Sequence, residues 1–95
     1  MKVKDIISQI LSKKSQLRKF GVKKIGLFGS YLKGNFNDRS DIDFLVTFDR
    51  MDFDNYMELQ YFLEKMFKKK IDLVIERNLI PELNYVKKEA KYVKL

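Results

Sequence analysis

The chain has 95 residues, a length that suits one small domain rather than two. Lysine and arginine outnumber aspartate and glutamate by 20 to 13, and the formal net charge is +7. The sequence contains no cysteine and no histidine, which excludes disulfides, thiolate nucleophiles and histidine-based catalysis. Any catalysis would therefore depend on carboxylates, lysine, serine or tyrosine, and any metal would be a hard cation such as Mg²⁺ held by oxygen.

The periodicity of apolar residues predicts an α/β (α+β) fold, with a small mixed sheet of about three strands and helices packed against it. We expect a single domain over residues 1–95, with a catalytic core over 23–76. The predicted elements, in chain order, are an amphipathic helix over 1–20, strands over 23–30 and 40–48, a helix over 55–70, a strand over 71–76 and a helix over 81–93. Pro81 would occupy the first turn of the last helix, where proline is best tolerated.

The positive charge is compatible with attraction to nucleic acid or to a nucleoside triphosphate. The basic residues are spread along the chain without an accompanying arginine–aromatic stripe, so lysines that keep the surface hydrated are the simpler interpretation. No apolar run is long enough to span a membrane, and Lys4 and Asp5 interrupt the first segment. We therefore expect neither a signal peptide nor a membrane partner, and a cytoplasmic location.

Two aspartates, Asp41 and Asp43, begin the second predicted strand. Residues two apart in a strand point to the same face, so these carboxylates project together while Ile42 and Phe44 face the core. Adjacent carboxylates disfavour each other's ionisation unless a cation lies between them. Asp72 begins the third predicted strand, and if that strand pairs with the second, three carboxylates meet at one edge of the sheet. Such a ligand set suits a two-metal site for phosphoryl or nucleotidyl transfer.

A Gly-Ser turn, formed by Gly29 and Ser30, follows the first predicted strand. Glycine lets the backbone approach a ligand closely, and backbone amides at the start of a helix point toward anions. The Ser30 hydroxyl adds a donor, and Gly34 allows the connection to turn sharply. These features predict that a triphosphate lies between this turn and metal held by Asp41 and Asp43.

A second pair with the same spacing, Asp52 and Asp54, serves as an internal comparison. No glycine turn precedes this pair and no strand follows it. We therefore expect these two aspartates to cap a helix and to lie in a solvated loop, without a catalytic role.

The residues Gly29-Ser30, Gly34 and Ser40-Asp41-Ile42-Asp43, followed by Asp72, resemble the nucleotidyltransferase superfamily of beta-type DNA polymerases. The small size and the C-terminal segment look like the minimal nucleotidyltransferases (MNT), the antitoxin partners of HEPN toxins. This resemblance spans roughly residues 23–95. It implies that Asp41 and Asp43 bind Mg²⁺, with two ions at the site, and that Asp72 completes the site and helps to activate the acceptor hydroxyl.

The resemblance also implies that Gly29 and Ser30 bind the triphosphate of ATP, with Gly34 and Ser40 in the same nucleotide-binding region. Antitoxins of this group transfer AMP from ATP to a tyrosine of the partner toxin. One departure stands out, because many relatives carry arginine just after Gly-Ser, where this chain has Tyr31, Leu32 and Lys33, and Lys33 is expected to supply the positive charge at the nucleotide. Lysine does not reproduce the bidentate contact of a guanidinium group.

The expected activity is Mg-dependent transfer of AMP to a hydroxyl of a HEPN-type toxin. With so little chain beyond the core, we expect the acceptor to come from another protein, held by Tyr85 and Tyr92 on the last helix if these are not simply core-edge residues. A catalytically inactive module that neutralises its partner by contact is an alternative, which the missing arginine favours and the complete aspartates disfavour. A nucleotidyltransferase acting on RNA is the third possibility, compatible with the charge but lacking an aromatic base-stacking platform.

Overall fold

The computed structural model describes residues 1–95. Its elements, in chain order, are α1 (Val3–Ser12), α2 (Lys14–Lys19), β1 (Val22–Phe28), α3 (Gly29–Lys33), β2 (Ile42–Phe48), α4 (Phe53–Phe67), β3 (Ile71–Ile75), two short 3₁₀ turns (Glu76–Asn78 and Pro81–Leu83), α5 (Asn84–Glu89) and β4 (Lys91–Lys94). The strands form one mixed sheet in the order β3-β2-β1-β4. The α/β class is confirmed, and the sheet has one strand more than predicted. None of the helices is long and apolar enough to cross a membrane.

One face of the sheet carries the hydrophobic core. Alternate residues of the three longer strands point to this face, and α1, α2 and α4 cover it with buried aliphatic side chains. The fully buried members include Ile6, Ile10, Leu17, Ile25, Leu27, Ile42, Phe44, Val46, Leu59, Leu63 and Ile71. Because side chains alternate along a strand, the residues between these positions point to the opposite face. That second face carries the candidate site.

The predicted helix over 1–20 is two helices, with a break at Lys13 (φ −117°, ψ 22°). Ile6 and Ile10 anchor α1 in the core, but lysines occupy positions 13 and 14, where the next apolar residue of a continuous helix would fall. The Ser12 hydroxyl donates to the Gln9 carbonyl at 2.7 Å and satisfies one of the last carbonyls of α1. The chain then starts a new helix that buries Leu17.

The predicted helix over 81–93 is wrong in its second half. The helical segment ends at Glu89, and Lys91–Lys94 form β4, which pairs antiparallel with β1. The exposed Lys91 and Lys94 flank the more buried Tyr92 and Val93, and the outer edge of β1 offers backbone groups that need hydrogen-bond partners. Gly26, opposite Tyr92, makes room, because a Cβ atom there would lie 2.7 Å from the tyrosine ring. Tyr92 is therefore a strand residue and does not lie beside Tyr85 on a helix.

Candidate active site

Two carboxylates meet at the start of two neighbouring strands. β2 and β3 run parallel, and their register places Asp43 directly beside Asp72. The core-facing residues of the same strands, such as Phe44 and Leu73, are also paired, so the packing of the opposite face fixes this register. The two aspartate side chains are close enough to share a hydrogen bond. The predicted convergence of Asp43 and Asp72 is therefore present in the fold.

The electrostatic environment of Asp43 is unfavourable to its ionised form. Partial burial raises its pKa to about 6, and the negative charge of Asp72, the hydrogen bond to Asp72 and the charge of Asp41 act in the same direction. A hydrogen bond from the Ser30 backbone opposes this shift only in part. The three ion pairs of the structure join Lys23 to Asp49, Lys24 to Glu76 and Lys33 to Glu89, so none of them neutralises this cluster.

Gly29 lies against the Asp43 carboxylate. Its φ is +77°, in the region that disfavours residues with a Cβ, and a Cβ atom at this position would overlap Asp43 Oδ2. The helix that follows is anchored by Tyr31, which is 2% exposed and stacks on Phe36 with ring centroids 4.3 Å apart. The Gly-Ser turn is thus held in contact with the carboxylates from one side, while its remaining surface is available to a ligand.

The carboxylates do not form a complete metal-binding cluster as they stand. Asp43 and Asp72 are in direct contact, and Asp41 acts on Asp43 through its charge, but no three acidic side chains are arranged to hold a metal ion. The chemistry of the group nevertheless fits a hard divalent cation, because Asp43 is repelled by both other carboxylates and none of the three forms an ion pair with a basic residue. The roles of Asp41, Asp43 and Asp72 as metal ligands remain predictions.

The other residues predicted to bind nucleotide have structural roles that are visible in the fold. Gly34 ends α3 with φ +80° and nothing near the position of a Cβ atom. The Ser40 hydroxyl accepts a hydrogen bond from the Asn37 backbone at 2.9 Å and closes the loop before β2. Lys33 Nζ lies 3.8 Å from Glu89 Oε2, in a pair that is about half exposed on both sides. Their predicted nucleotide contacts remain untested.

A cleft of about 530 Å³ begins at Asp72. Asp72, Gly29 and Lys33 line it together with Leu79, Ile80 and Leu83 of the segment that connects β3 to α5, and with Val86 of α5. Ile80 and Leu83 are 55% and 38% exposed, although both are large and apolar. Sequence reasoning did not assign this segment to the site. The sequence contained one indication that this segment has another role: the apolar residues around Pro81 lack the periodicity of a buried helix.

The arrangement defines a class of protein. Aspartates at the start of two parallel strands, with a Gly-Ser turn packed against one of them, are the arrangement predicted above for nucleotidyl transfer. A family profile described as "Nucleotidyltransferase domain" matches residues 4–94. The chain belongs to this nucleotidyltransferase family.

Known proteins of similar sequence and structure agree with this assignment. The chain is 37% identical to the protein adenylyltransferase MntA of Thermococcus cleftensis, over 81% of this chain and 80% of that protein. It superposes on a solved structure provisionally described as a minimal nucleotidyltransferase with a TM-score of 0.81 and 28% identity, covering 96% of this chain and 95% of the other. It is also similar to the MNT antitoxin solved in complex with the tri-AMPylated HEPN toxin of Shewanella oneidensis, with a TM-score of 0.60, 28% identity and coverage of 88% and 70%.

Proposed function

We propose that this protein is a Mg-dependent protein adenylyltransferase that transfers AMP from ATP to a tyrosine hydroxyl of a HEPN-type toxin and so acts as an antitoxin. The observation that carries the proposal is the pairing of Asp43 with Asp72 beside the turn formed by Gly29 and Ser30. The similarity to an adenylyltransferase and to an antitoxin solved with its AMP-modified toxin supports the choice of donor and partner.

Each residue of the site has a defined task in this reaction. The Ser30 turn binds the outer phosphates of ATP, and Asp41 and Asp43 hold Mg²⁺, which supplies positive charge to the phosphates when bound. Asp72 lies beside the acceptor and accepts the proton of its hydroxyl group. The acceptor oxygen attacks the α-phosphorus in line, the bond from that phosphorus to the bridging oxygen breaks, and pyrophosphate leaves. Catalysis then depends on positioning and charge neutralisation, without a covalent enzyme intermediate.

The cleft beside Asp72 suits an aromatic acceptor. Its walls are mostly apolar, and Ile80 and Leu83 expose surface that a tyrosine ring would cover, while Asp72 supplies a carboxylate near the reacting hydroxyl. Lys33 lines the same cleft, and its half-exposed pair with Glu89 is of a kind that contributes little stability. The Lys33 ammonium can therefore exchange this partner for a phosphate at small cost.

Label transfer from α-labelled ATP tests the proposal. The protein is incubated with Mg²⁺ and a lysate that contains the product of the adjacent gene, and the Asp41→Asn/Asp43→Asn double variant is the matched control. We expect label on a protein band, absent with the double variant and absent when γ-labelled ATP replaces the α-labelled compound.

Other outcomes of the same experiment point elsewhere. Label on RNA would replace the protein acceptor by a nucleic acid. No label in any fraction, with the partner still bound in a pull-down, would instead favour neutralisation by contact alone.

A further inference from the structure

β3 is an edge strand, with β2 on one side and no strand on the other. The Lys70 carbonyl, just before β3, accepts a hydrogen bond from the Ile42 amide of β2. Carbonyls alternate in direction along a strand, so those of Ile71 and Leu73 point away from β2. Asp72, the candidate proton acceptor, lies between these two outward carbonyls.

Side chains of α4 donate hydrogen bonds to both outward carbonyls. Gln60 Nε2 donates to the Ile71 carbonyl at 3.2 Å, and the Tyr56 hydroxyl donates to the Leu73 carbonyl. The spacing is matched, because four residues of helix advance about 6 Å and two residues of strand about 6.6 Å. Burial, and secondly the charge of Asp72, raise the pKa of Tyr56, so its hydroxyl stays protonated and remains a donor.

The helix that carries these two donors is firmly held. Leu59 and Leu63 are fully buried in the core, and Phe67 is 6% exposed. The Asp52 side chain caps its first turn by accepting from the Asn55 amide at 2.7 Å. The carboxylates of Asp43 and Asp72, by contrast, repel each other when ionised and push the edge strand away from β2. Hydrogen bonds that fix the backbone on both sides of Asp72 to this rigid helix therefore restrain the displacement that the repulsion would cause.

We propose that Tyr56 and Gln60, together the α4 clamp, are positioning residues that keep Asp72 in register with Asp43 for nucleotidyl transfer. The inference rests on the proposed function for its link to activity. The clamp touches neither phosphate nor acceptor. It acts through the backbone on both sides of Asp72 and leaves the Ser30 turn and Asp43 in place.

Isosteric variants test the clamp. In Tyr56→Phe and Gln60→Met the donor is lost while side-chain volume is nearly kept, and we expect kcat for AMP transfer to fall about 10-fold in each, as for other outer-shell positioning groups. The KM for ATP should stay within about 2-fold, since the triphosphate site is on other elements. Tyr61→Phe, on the same helix with a side chain 63% exposed, is the control and should behave as wild type. Gln60→Lys restores a long donor and should recover part of kcat.

Two results would overturn the clamp: an unchanged kcat in both variants, or a raised KM for ATP with kcat intact. If the wild-type protein transfers no AMP at all, the proposed function fails, and amide hydrogen exchange decides the clamp separately. Tyr56→Phe and Gln60→Met should then accelerate exchange in Ile71–Ile75 at least about 10-fold relative to Tyr61→Phe. Equal exchange rates in the three variants would reject the clamp.

Discussion

Two segments of this chain share the pattern Asp-x-Asp and have opposite fates. Asp41 and Asp43 lead into β2, where Asp43 is half-buried against Gly29 and Asp72, and its pKa is raised to about 6. Asp52 and Asp54 are both exposed at the start of α4, where Asp52 accepts a hydrogen bond from the Asn55 amide. Asp43 of the first pair is held where its charge is costly, and the second pair lies where its charge is favourable.

The difference shows that spacing alone does not define a catalytic pair. The role of the pair depends on its neighbours. Here these are a glycine that allows the backbone to touch the carboxylate, and a parallel strand that brings a third carboxylate alongside. Residues held in an unfavourable electrostatic state, without a structural benefit, are candidates for function. Paired substitutions in the two segments can test this distinction.

The largest effect is expected from removing one charge in each pair. Asp43→Asn should lower AMP transfer by at least about 1,000-fold, because metal-ion charge stabilisation is worth several kcal/mol in the transition state. Asp54→Asn, the matched change in the capping pair, should leave transfer within about 2-fold of wild type. Initial rates with saturating ATP and Mg²⁺ measure both. Comparable losses in the two variants would mean that the pairs are not functionally distinct.

A methyl group added at the Gly-Ser turn should have the next largest effect. Gly29→Ala places a Cβ atom where Asp43 Oδ2 now lies, so the carboxylate must move, and transfer should fall about 100-fold. Gly21→Ala is the control, since its φ of +82° carries a similar backbone cost of about 1–2 kcal/mol, but a Cβ atom there would meet its nearest neighbour at an ordinary 3.5 Å and Gly21 lies outside the predicted site. Transfer rates, compared at equal folded fraction, separate the two. A similar loss in both would attribute the effect to backbone conformation rather than to Asp43.

A substitution at Asp52, in the capping pair, should change the thermal stability of the protein rather than its activity. Asp52→Ala removes the N-cap of α4 and should cost about 1 kcal/mol, lowering Tm by about 4–8 °C in a domain of this size. Asp52→Asn keeps a capping oxygen and should be close to wild type, and kcat well below Tm should be unchanged in both. Thermal unfolding followed by circular dichroism measures the shift. A loss of kcat with Tm preserved would assign this pair to the catalytic site.

The smallest effect concerns pH in the absence of divalent cations. The folded-state pKa of Asp43 is about 6, above the unfolded value of about 3.9, so its contribution to stability is present below pH 4 and is lost as pH rises through 6. The free energy of unfolding of wild type should therefore decline relative to Asp43→Asn over this window, by under about 1 kcal/mol, because the side chain is partly solvated. Urea titrations at several pH values, with Asp54→Asn as control, measure the decline. If the free energy of unfolding changes with pH in the same way in wild type, Asp43→Asn and Asp54→Asn, the predicted contribution of Asp43 is wrong.

The sequence predicted the structure correctly where that structure depends on residues close together along the chain. The turn at Gly29 and Ser30 and the strand that starts at Asp41 are local features, and the parallel placement of Asp72 followed from one assumption about strand neighbours. β4 was not predicted, because Lys91–Lys94 pair with β1, some 65 positions earlier along the chain. Local strand propensity does not indicate such a distant pairing. The hydrogen bonds from Tyr56 and Gln60 to β3 were also not predicted. They join residues of different elements, and apolar periodicity describes one face of α4 only.

The bonds from α4 to β3 have a further consequence for how this protein can associate. An edge strand with free carbonyls invites another chain to extend the sheet, which is a common route to aggregation. Here two outward carbonyls of β3 are already occupied, and the opposite edge, β4, displays exposed lysines at Lys91 and Lys94. Both borders of the sheet are therefore poor templates for strand addition, and we expect a partner protein to be recognised through side chains.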